Sequence, residues 1–155
     1  MSAVTWLQRA EVALAAAGRK RGDARRAMLE LLAGEACALS AIEIEDALRS
    51  EPSRRVSRAS VYRILHELER MGLVQRVDIG QPMVRYERVY EREERHHHLV
   101  CDGCGLLMPF SDPELERAMM TLSARVPLAV SEHEIVIHGC CRDCAEWTDG
   151  PTGRS

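Results

Sequence analysis

Two short cysteine pairs, Cys101-x-x-Cys104 and Cys141-x-x-Cys144, carry the clearest chemistry in this 155-residue chain. Thiolates with this spacing hold Zn²⁺ in tetrahedral structural sites. Each pair follows a predicted strand end, where a tight turn directs both sulfurs to one ion. A redox dithiol of the thioredoxin type would instead need a C-x-x-C at a helix start within a βαβ unit, which is not predicted. We predict one four-cysteine zinc site, with Cys140 a bystander or an exchange partner of Cys141.

A run of three histidines, His96-His97-His98, lies just before the first pair. In a strand, His96 and His98 would face one side and His97 the other, so the run could serve two different sites. Further donors outside the cysteine pairs are present at Glu87, Glu116 and His133. We therefore predict a regulatory metal site, against the alternative of a surface histidine cluster.

Charge is unevenly distributed along the chain. Residues 1–76 contain 13 basic and 10 acidic side chains, whereas residues 77–155 contain 8 basic and 14 acidic ones. The first half is therefore the one suited to approach phosphate groups. No apolar run has the length of a signal peptide or a membrane span, so we expect a cytosolic protein, in which C-x-x-C pairs more often bind metal or do redox work than form disulfides.

The first half has the pattern of helices followed by a hairpin. Four helices are predicted. The first runs from about Thr5 to Ala17, and the second begins near Asp23 as its N-cap. The third begins at the capping box Ser40-Ala41-Ile42-Glu43, and the fourth runs from Ser57 to Gly72. Strands are predicted at Leu73 to Asp78 and Met83 to Val89. This is the element order of a winged helix-turn-helix, in which the last helix enters the DNA major groove.

The exposed face of that last helix is the candidate DNA-binding surface. It carries Arg58, Ser60, Tyr62, Arg63 and His66. Arginine can bond guanine or phosphate, and tyrosine can pack on a thymine methyl group. The alternative is an ordinary solvated helix face, since a few arginines at helical spacing are common.

The second half changes character after a charged connector. We predict strands at His98 to Val100 and from Leu106, a helix opening at Asp112-Pro113, and a final strand from Val130 to Gly139. The fold class is α+β, a winged helix-turn-helix followed by a small α/β domain with the four-cysteine zinc site. The predicted boundaries are residues 1–84, a hinge at 85–95, a dimerisation and metal-binding domain at 96–148, and a disordered tail at 149–155.

With these features, the chain resembles the ferric uptake regulator family of metal-responsive bacterial repressors. The motifs that carry the resemblance are Arg58-Ala59-Ser60-Val61-Tyr62-Arg63, Gly72-Leu73-Val74, Arg85-Tyr86-Glu87, the stretch from His96 to Gly105, and the stretch from His138 to Cys144. The resemblance implies a homodimer with an N-terminal DNA-binding domain and a C-terminal dimerisation domain that is stabilised by the structural zinc.

Ligand roles carry over from the family position by position. Glu87, His96 and His98 match the interdomain sensing site, and His97, Glu116 and His133 match a second site in the dimerisation domain. Tyr62 and Arg63 match the recognition-helix pair that contacts the operator.

The chain also departs from the family pattern. Ala38 stands where a histidine ligand is usual, and Met108-Pro109 replaces an acidic ligand. We therefore advance the hypothesis that Cys37 completes the sensing site, which would favour zinc over iron, against the alternative of a small buried apolar cysteine.

The predicted function is a metal-dependent transcriptional repressor of metal-uptake or metal-homeostasis genes, not an enzyme. It would carry structural Zn²⁺ and a regulatory Zn²⁺ or Fe²⁺/Mn²⁺, and would bind inverted-repeat operators in double-stranded DNA as a homodimer without a membrane partner. The alternatives are a peroxide or redox sensor on the same scaffold and a DNA-binding protein with structural zinc only. A metalloenzyme is disfavoured because neither an H-E-x-x-H nor a deaminase motif occurs.

Overall fold

A computed structural model describes residues 3–20, 22–51, 55–91 and 95–148, and the chain divides into two compact units, Met1–Glu94 and Arg95–Ser155. The predicted tail at 149–155 and positions 92–94 of the predicted hinge lie outside the described residues. In the described part of the chain, no helix is long and apolar enough to cross a membrane.

The first unit combines four helices with a small antiparallel sheet. Its elements are α1 (Ala3–Ala16), α2 (Asp23–Gly34), β1 (Leu39–Ser40), α3 (Ala41–Arg49), α4 (Arg58–Arg70), β2 (Val74–Val77) and β3 (Arg85–Arg88). The sheet has the strand order β1-β3-β2, so the β2–β3 hairpin forms a wing beside the helices. The predicted winged helix-turn-helix is confirmed.

Local signals set the ends of α3 and α4. Ser40 Oγ accepts from the Glu43 N–H, while the Glu43 carboxylate accepts from the Ser40 N–H at 2.7 Å, which completes the capping box. Ser57 caps α4, and Gly72 follows its end with φ of +68°, a conformation that glycine adopts without strain. The prediction for α2 was wrong in one detail, because Gly22 is its N-cap and Asp23 is its first helical residue.

One core holds the four helices of the first unit together. Each helix buries a stripe of residues spaced three or four apart, such as Trp6, Ala10 and Leu14 in α1. Trp6 Nε1 also donates to the Leu73 carbonyl at 3.0 Å, which ties α1 to the segment between α4 and β2. The opposite face of α4 is thereby left free to face solvent.

The second unit is a three-stranded sheet with two helices. It consists of β4 (His97–Cys101), β5 (Leu107–Phe110), α5 (Pro113–Ser123), β6 (Val136–Gly139) and α6 (Arg142–Thr148). Strand β4 is central, antiparallel to β5 and parallel to β6, and α5 lies in the connection that a parallel pair requires. Asp112 caps α5 and Pro113 is its first residue, as predicted.

Three features differ from the sequence prediction. The final strand covers residues 136–139 rather than starting at Val130, because only this stretch pairs with β4. Helix α6, which follows Cys141, was not predicted. Residues 85–88, assigned above to the hinge, form β3 and pair with β1 and β2 within the first unit.

Candidate metal centres and DNA-binding helix

The four predicted zinc ligands come together at one edge of the second sheet. Because β4 and β6 are parallel and Cys101 is opposite Gly139, both strands end at the same edge. Cys101 ends β4 and Cys104 lies in the turn that follows. Cys141 follows β6, and Cys144 lies in the first turn of α6. Their four sulfur atoms all lie within 4.8 Å of one another.

Main-chain bonds hold this edge in place. The N–H of Asp102 donates to the Gly139 carbonyl at 2.8 Å, and the N–H of Cys141 donates to Cys101 Sγ at 3.3 Å. Cys104 Sγ and Cys141 Sγ are 3.8 Å apart. A tetrahedron with Zn–S bonds of about 2.3 Å has edges of about 3.8 Å, so the cluster fits Zn²⁺.

The pKa values of the thiols show why a cation suits the cluster. Hydrogen bonds from the N–H groups of Cys141 and Cys104 lower the pKa of Cys101 to about 6. The neighbouring sulfurs of Cys141, Cys101 and Cys104 raise the pKa of Cys144 far above its ordinary value. Four thiolates cannot share this volume without compensating positive charge, which a divalent metal would supply.

A second cluster forms around His97, at the start of β4. His97 Nε2 lies 2.6 Å from Glu116 Oε1, and His133 Nε2 lies 3.0 Å from Glu116 Oε2. Strand β4 supplies His97, α5 supplies Glu116, and the segment before β6 supplies His133. Hydrogen bonding from His97, and then from His133, lowers the pKa of Glu116 although burial opposes this. Two imidazoles and a carboxylate are ligands that suit Zn²⁺, Fe²⁺ and Mn²⁺.

The hydrogen bonds of His97 fix its neutral tautomer. The N–H of Ile135 donates to His97 Nδ1 at 3.2 Å. A neutral His97 then carries its proton on Nε2 and donates it to Glu116. A ligand at Nε2 would require the other tautomer, with the proton on Nδ1, and would replace the bond from the Ile135 N–H.

The remaining two histidines of the run lie together, as the strand alternation predicts. The rings of His96 and His98 have centroids 4.9 Å apart in an edge-to-face arrangement, and His98 is almost fully buried. Glu134 Oε1 lies 3.2 Å from His98 Nδ1. Glu87 belongs to the first unit, where it is buried in β3 and accepts from Gln75 Nε2 at 2.9 Å.

Helix α4 presents most of the predicted DNA-binding residues to solvent. Its buried side chains are Val61, Ile64, Leu65 and Leu68. Arg58, Tyr62 and Arg63 are exposed on the other side. Ser60 differs, because it is half-buried and its hydroxyl accepts from the capping Ser57 hydroxyl at 3.1 Å.

The sequence profile of the ferric uptake regulator family matches residues 16–138. The chain belongs to this family. The ferric uptake regulation protein of Helicobacter pylori strain J99 is 27% identical over 143 residues, covering 92% of this chain and 93% of that protein.

Two solved structures of ferric uptake regulators share the fold. The Helicobacter pylori regulator Fur, described as having three functional metal-binding sites, gives a TM-score of 0.77 at 25% identity, over 94% of this chain and 95% of that one. The Vibrio cholerae regulator gives a TM-score of 0.71 at 29% identity, over 83% of this chain and 97% of that one. The predicted fold class is confirmed, and so is the predicted class of function, a metal-responsive transcriptional repressor.

Sequence reasoning missed several residues near these Fur-family sites. Glu134 was overlooked because its proximity to His98 depends on the pairing of β4 with β6. His138 was assigned no role above. Its Nδ1 lies 2.7 Å from Asp102 Oδ1, between the two cysteine pairs. Gly103 offered a signal in the C-x-G-C spacing, since glycines often mark close approach of neighbouring atoms.

Proposed function

We propose that this Fur-family repressor binds a regulatory divalent metal in addition to structural Zn²⁺ and binds operator DNA through α4. The observation that carries the proposal is that one small unit assembles two separate donor clusters, four cysteines and His97-Glu116-His133. Soft thiolates favour Zn²⁺ that stays in place, whereas imidazole and carboxylate donors suit more exchangeable metal. We expect a cytoplasmic protein, because its ligand is chromosomal DNA.

The ligand assignments follow the chemistry of each donor set. Cys101, Cys104, Cys141 and Cys144 are proposed to hold structural Zn²⁺. His96 and His98, with Glu87, are the proposed regulatory ligands, and His97, Glu116 and His133 the proposed second site. A bound divalent ion would supply positive charge to these groups. Cys37 remains a hypothesis for completing the regulatory site.

A homodimer is supported by the surface of the second unit. Helix α5 has no buried side chain, and apolar residues such as Met108 on β5 and Ile137 on β6 are about 45% exposed. A unit of this size buries a modest share of its surface and is marginally stable alone. A symmetric dimer would cover these faces, and its twofold axis would require an inverted-repeat operator.

DNA binding is assigned to α4 through Arg58, Ser60, Tyr62 and Arg63. Exposed arginine and tyrosine side chains can reach phosphates and base edges from the major groove. Metal and DNA are then linked thermodynamically. If metal raises the affinity for the operator by some factor, the operator raises metal affinity by the same factor.

The proposal is tested with a His96→Ala/His98→Ala double variant. Fluorescence anisotropy with duplex DNA from the promoter of its own gene should show metal-dependent binding by the parent, and the variant should lose the metal response. A Glu11→Ala variant is the control, because Glu11 is an exposed side chain on α1, outside the donor clusters and α4. An unchanged metal response in the double variant would refute the regulatory assignment.

A further inference from the structure

Glu45 is a nearly buried carboxylate that binds two arginines at the junction of α3 and α4. Its side chain is 10% exposed. Glu45 Oε1 accepts from Arg49 Nη2 at 2.6 Å, and Oε2 accepts from Arg58 Nε at 2.6 Å. Arg49 ends α3 and Arg58 begins α4, so one side chain connects the two helices of the helix-turn-helix.

The charge balance of this group favours an ionised Glu45. The hydrogen bond from Arg58 lowers the pKa of Glu45, against a smaller opposing effect of burial. Two guanidinium groups share the Glu45 carboxylate, and Arg49 Nη1 also lies 3.7 Å from Asp46 Oδ1. Glu45 therefore neutralises Arg58 only in part, unlike the carboxylate of an isolated surface salt bridge.

The bond through Nε leaves the other edge of the Arg58 guanidinium available. The Arg58 side chain is 56% exposed, and Glu45 is its hydrogen-bond partner among the described residues. The terminal Nη1 and Nη2 groups form a fork that matches two oxygens of a phosphate. Arginine held in this way loses less conformational entropy when it binds an anion.

The position of Arg58 favours phosphate over a base edge. Its guanidinium is drawn toward α3, the helix that crosses the DNA backbone in a helix-turn-helix. Tyr62 and Arg63, one turn farther along α4, are exposed on its surface without a bond to α3. Base contacts are accordingly expected from Tyr62 and Arg63.

We infer that Glu45 is a positioning residue that holds the Arg58 guanidinium against α3, so that its terminal N–H groups bind a phosphate of the DNA backbone. This inference rests on the proposed DNA-binding function. It assigns a role in DNA binding to a carboxylate, which simple electrostatics would count as repulsive to DNA.

Glu45→Gln tests whether Glu45 acts by positioning Arg58 or through its negative charge, because the two explanations predict opposite changes in DNA affinity. If only net charge mattered, removing a negative charge near the interface would strengthen DNA binding. Positioning predicts binding weaker by roughly three- to tenfold, because the charge-assisted bond to Arg58 is lost. Asp46→Asn is the matched control, since it removes the same charge from the next residue, which is exposed and not bonded to Arg58. It should leave binding equal or slightly tighter.

The probe is a random-sequence duplex of about 30 base pairs, titrated with zinc-loaded full-length protein between roughly 50 and 200 mM salt. Each lost phosphate contact should reduce the slope of log affinity against log salt by about 0.9. We expect this reduction for Arg58→Ala and a partial one for Glu45→Gln. In the Arg58→Ala background, Glu45→Gln should have no further effect.

Arg58→Lys provides a test that leaves Glu45 in place. A lysine has one ammonium group, which would be engaged by Glu45, so its DNA affinity should fall close to that of Arg58→Ala. A thermal unfolding scan of every variant checks the fold, and this lysine variant decides the question if Glu45→Gln does not fold.

Three results with the random duplex would overturn the inference. These are tighter binding by folded Glu45→Gln, additive effects of the two substitutions, and full affinity in Arg58→Lys. Loss of affinity seen only with a selected operator and not with the random duplex would also contradict it, because that would indicate a base contact. If the zinc-loaded parent binds neither duplex, the proposed function itself fails.

Discussion

Gly103 lies where the four cysteines leave no space for a side chain. A Cβ atom at this position would lie 2.8 Å from Cys144 Sγ and 3.0 Å from Cys144 Cβ. The φ of Gly103 is not in the left-handed region, so alanine would fit the backbone. Any effect of Gly103→Ala on the zinc site therefore reports the close approach of Cys144 alone.

We expect Gly103→Ala to bind zinc less firmly than the parent. Overpacking by one methyl group costs about 1–3 kcal/mol, or roughly five- to 150-fold in zinc affinity. The rate at which a chelator removes zinc from the purified protein measures the effect. Gly139→Ala is the control, because a Cβ there would meet nothing within 4 Å. Equal rates in both variants and the parent would contradict this account of the site.

At the scale of single elements, short local signals determine where helices begin, and pairing determines where strands lie. The starts of α3 and α5 were predictable because Ser40, Glu43 and Asp112 cap them through bonds to the next few residues. The bounds of β6 were not predictable, because they depend on register with β4, nearly forty residues away.

The same distinction explains which site residues the sequence could predict. The cysteine pairs and the histidine run are close in sequence and chemically distinctive, so their spacing identified them. Glu45 and Glu134 are ordinary acidic residues in sequence. Their importance depends on Arg58 and His98, which approach them only after helices and strands have packed.

The capping box of α3 makes a pH-dependent contribution to stability. Burial opposes ionisation of Glu43, but bonds from Ser40 and the ion pair with Arg85, at 2.8 Å, lower its pKa overall. A lowered carboxyl pKa stabilises the fold above the unfolded pKa of about 4.3, and this contribution is lost as pH falls through the folded value.

We therefore predict that Glu43→Gln lowers the free energy of unfolding by about 1 kcal/mol near neutral pH, and less below about pH 4. Urea unfolding followed by Trp6 fluorescence, in a Trp147→Phe background, measures this at both pH values. Glu11→Gln is the control, because Glu11 is exposed on α1 and should give no such trend. A difference between parent and Glu43→Gln that does not change with pH would refute the role of the charge.

At the scale of the whole molecule, charge and apolar surface are divided between the two halves of the chain. Helix α4, the proposed DNA-binding helix, lies in the half with net positive charge, and the exposed apolar strands β5 and β6 lie in the acidic half. This division agrees with the proposed roles, nucleic-acid binding by the first unit and self-association by the second. It also explains why a net charge of −3 does not argue against DNA binding.

A homodimer through the second unit predicts a position-specific effect of new charges. Ile137→Asp places a carboxylate on β6 and should convert the dimer to monomer in sedimentation-equilibrium experiments, because an unpaired charge would be buried. Val12→Asp is the control, since Val12 is 70% exposed on α1 in the first unit. A dimer that persists in Ile137→Asp, or one that Val12→Asp disrupts equally, would place the interface elsewhere.

Control of DNA binding is proposed to come from a divalent metal at sites other than the four cysteines. Its most direct test is an anisotropy titration of promoter DNA with protein that retains one zinc per chain, before and after addition of Zn²⁺, Fe²⁺ or Mn²⁺. We predict weak binding before addition and at least a roughly five- to 150-fold gain after it, the usual range of coupling between two ligands. Equal DNA affinity with and without added metal would contradict the account.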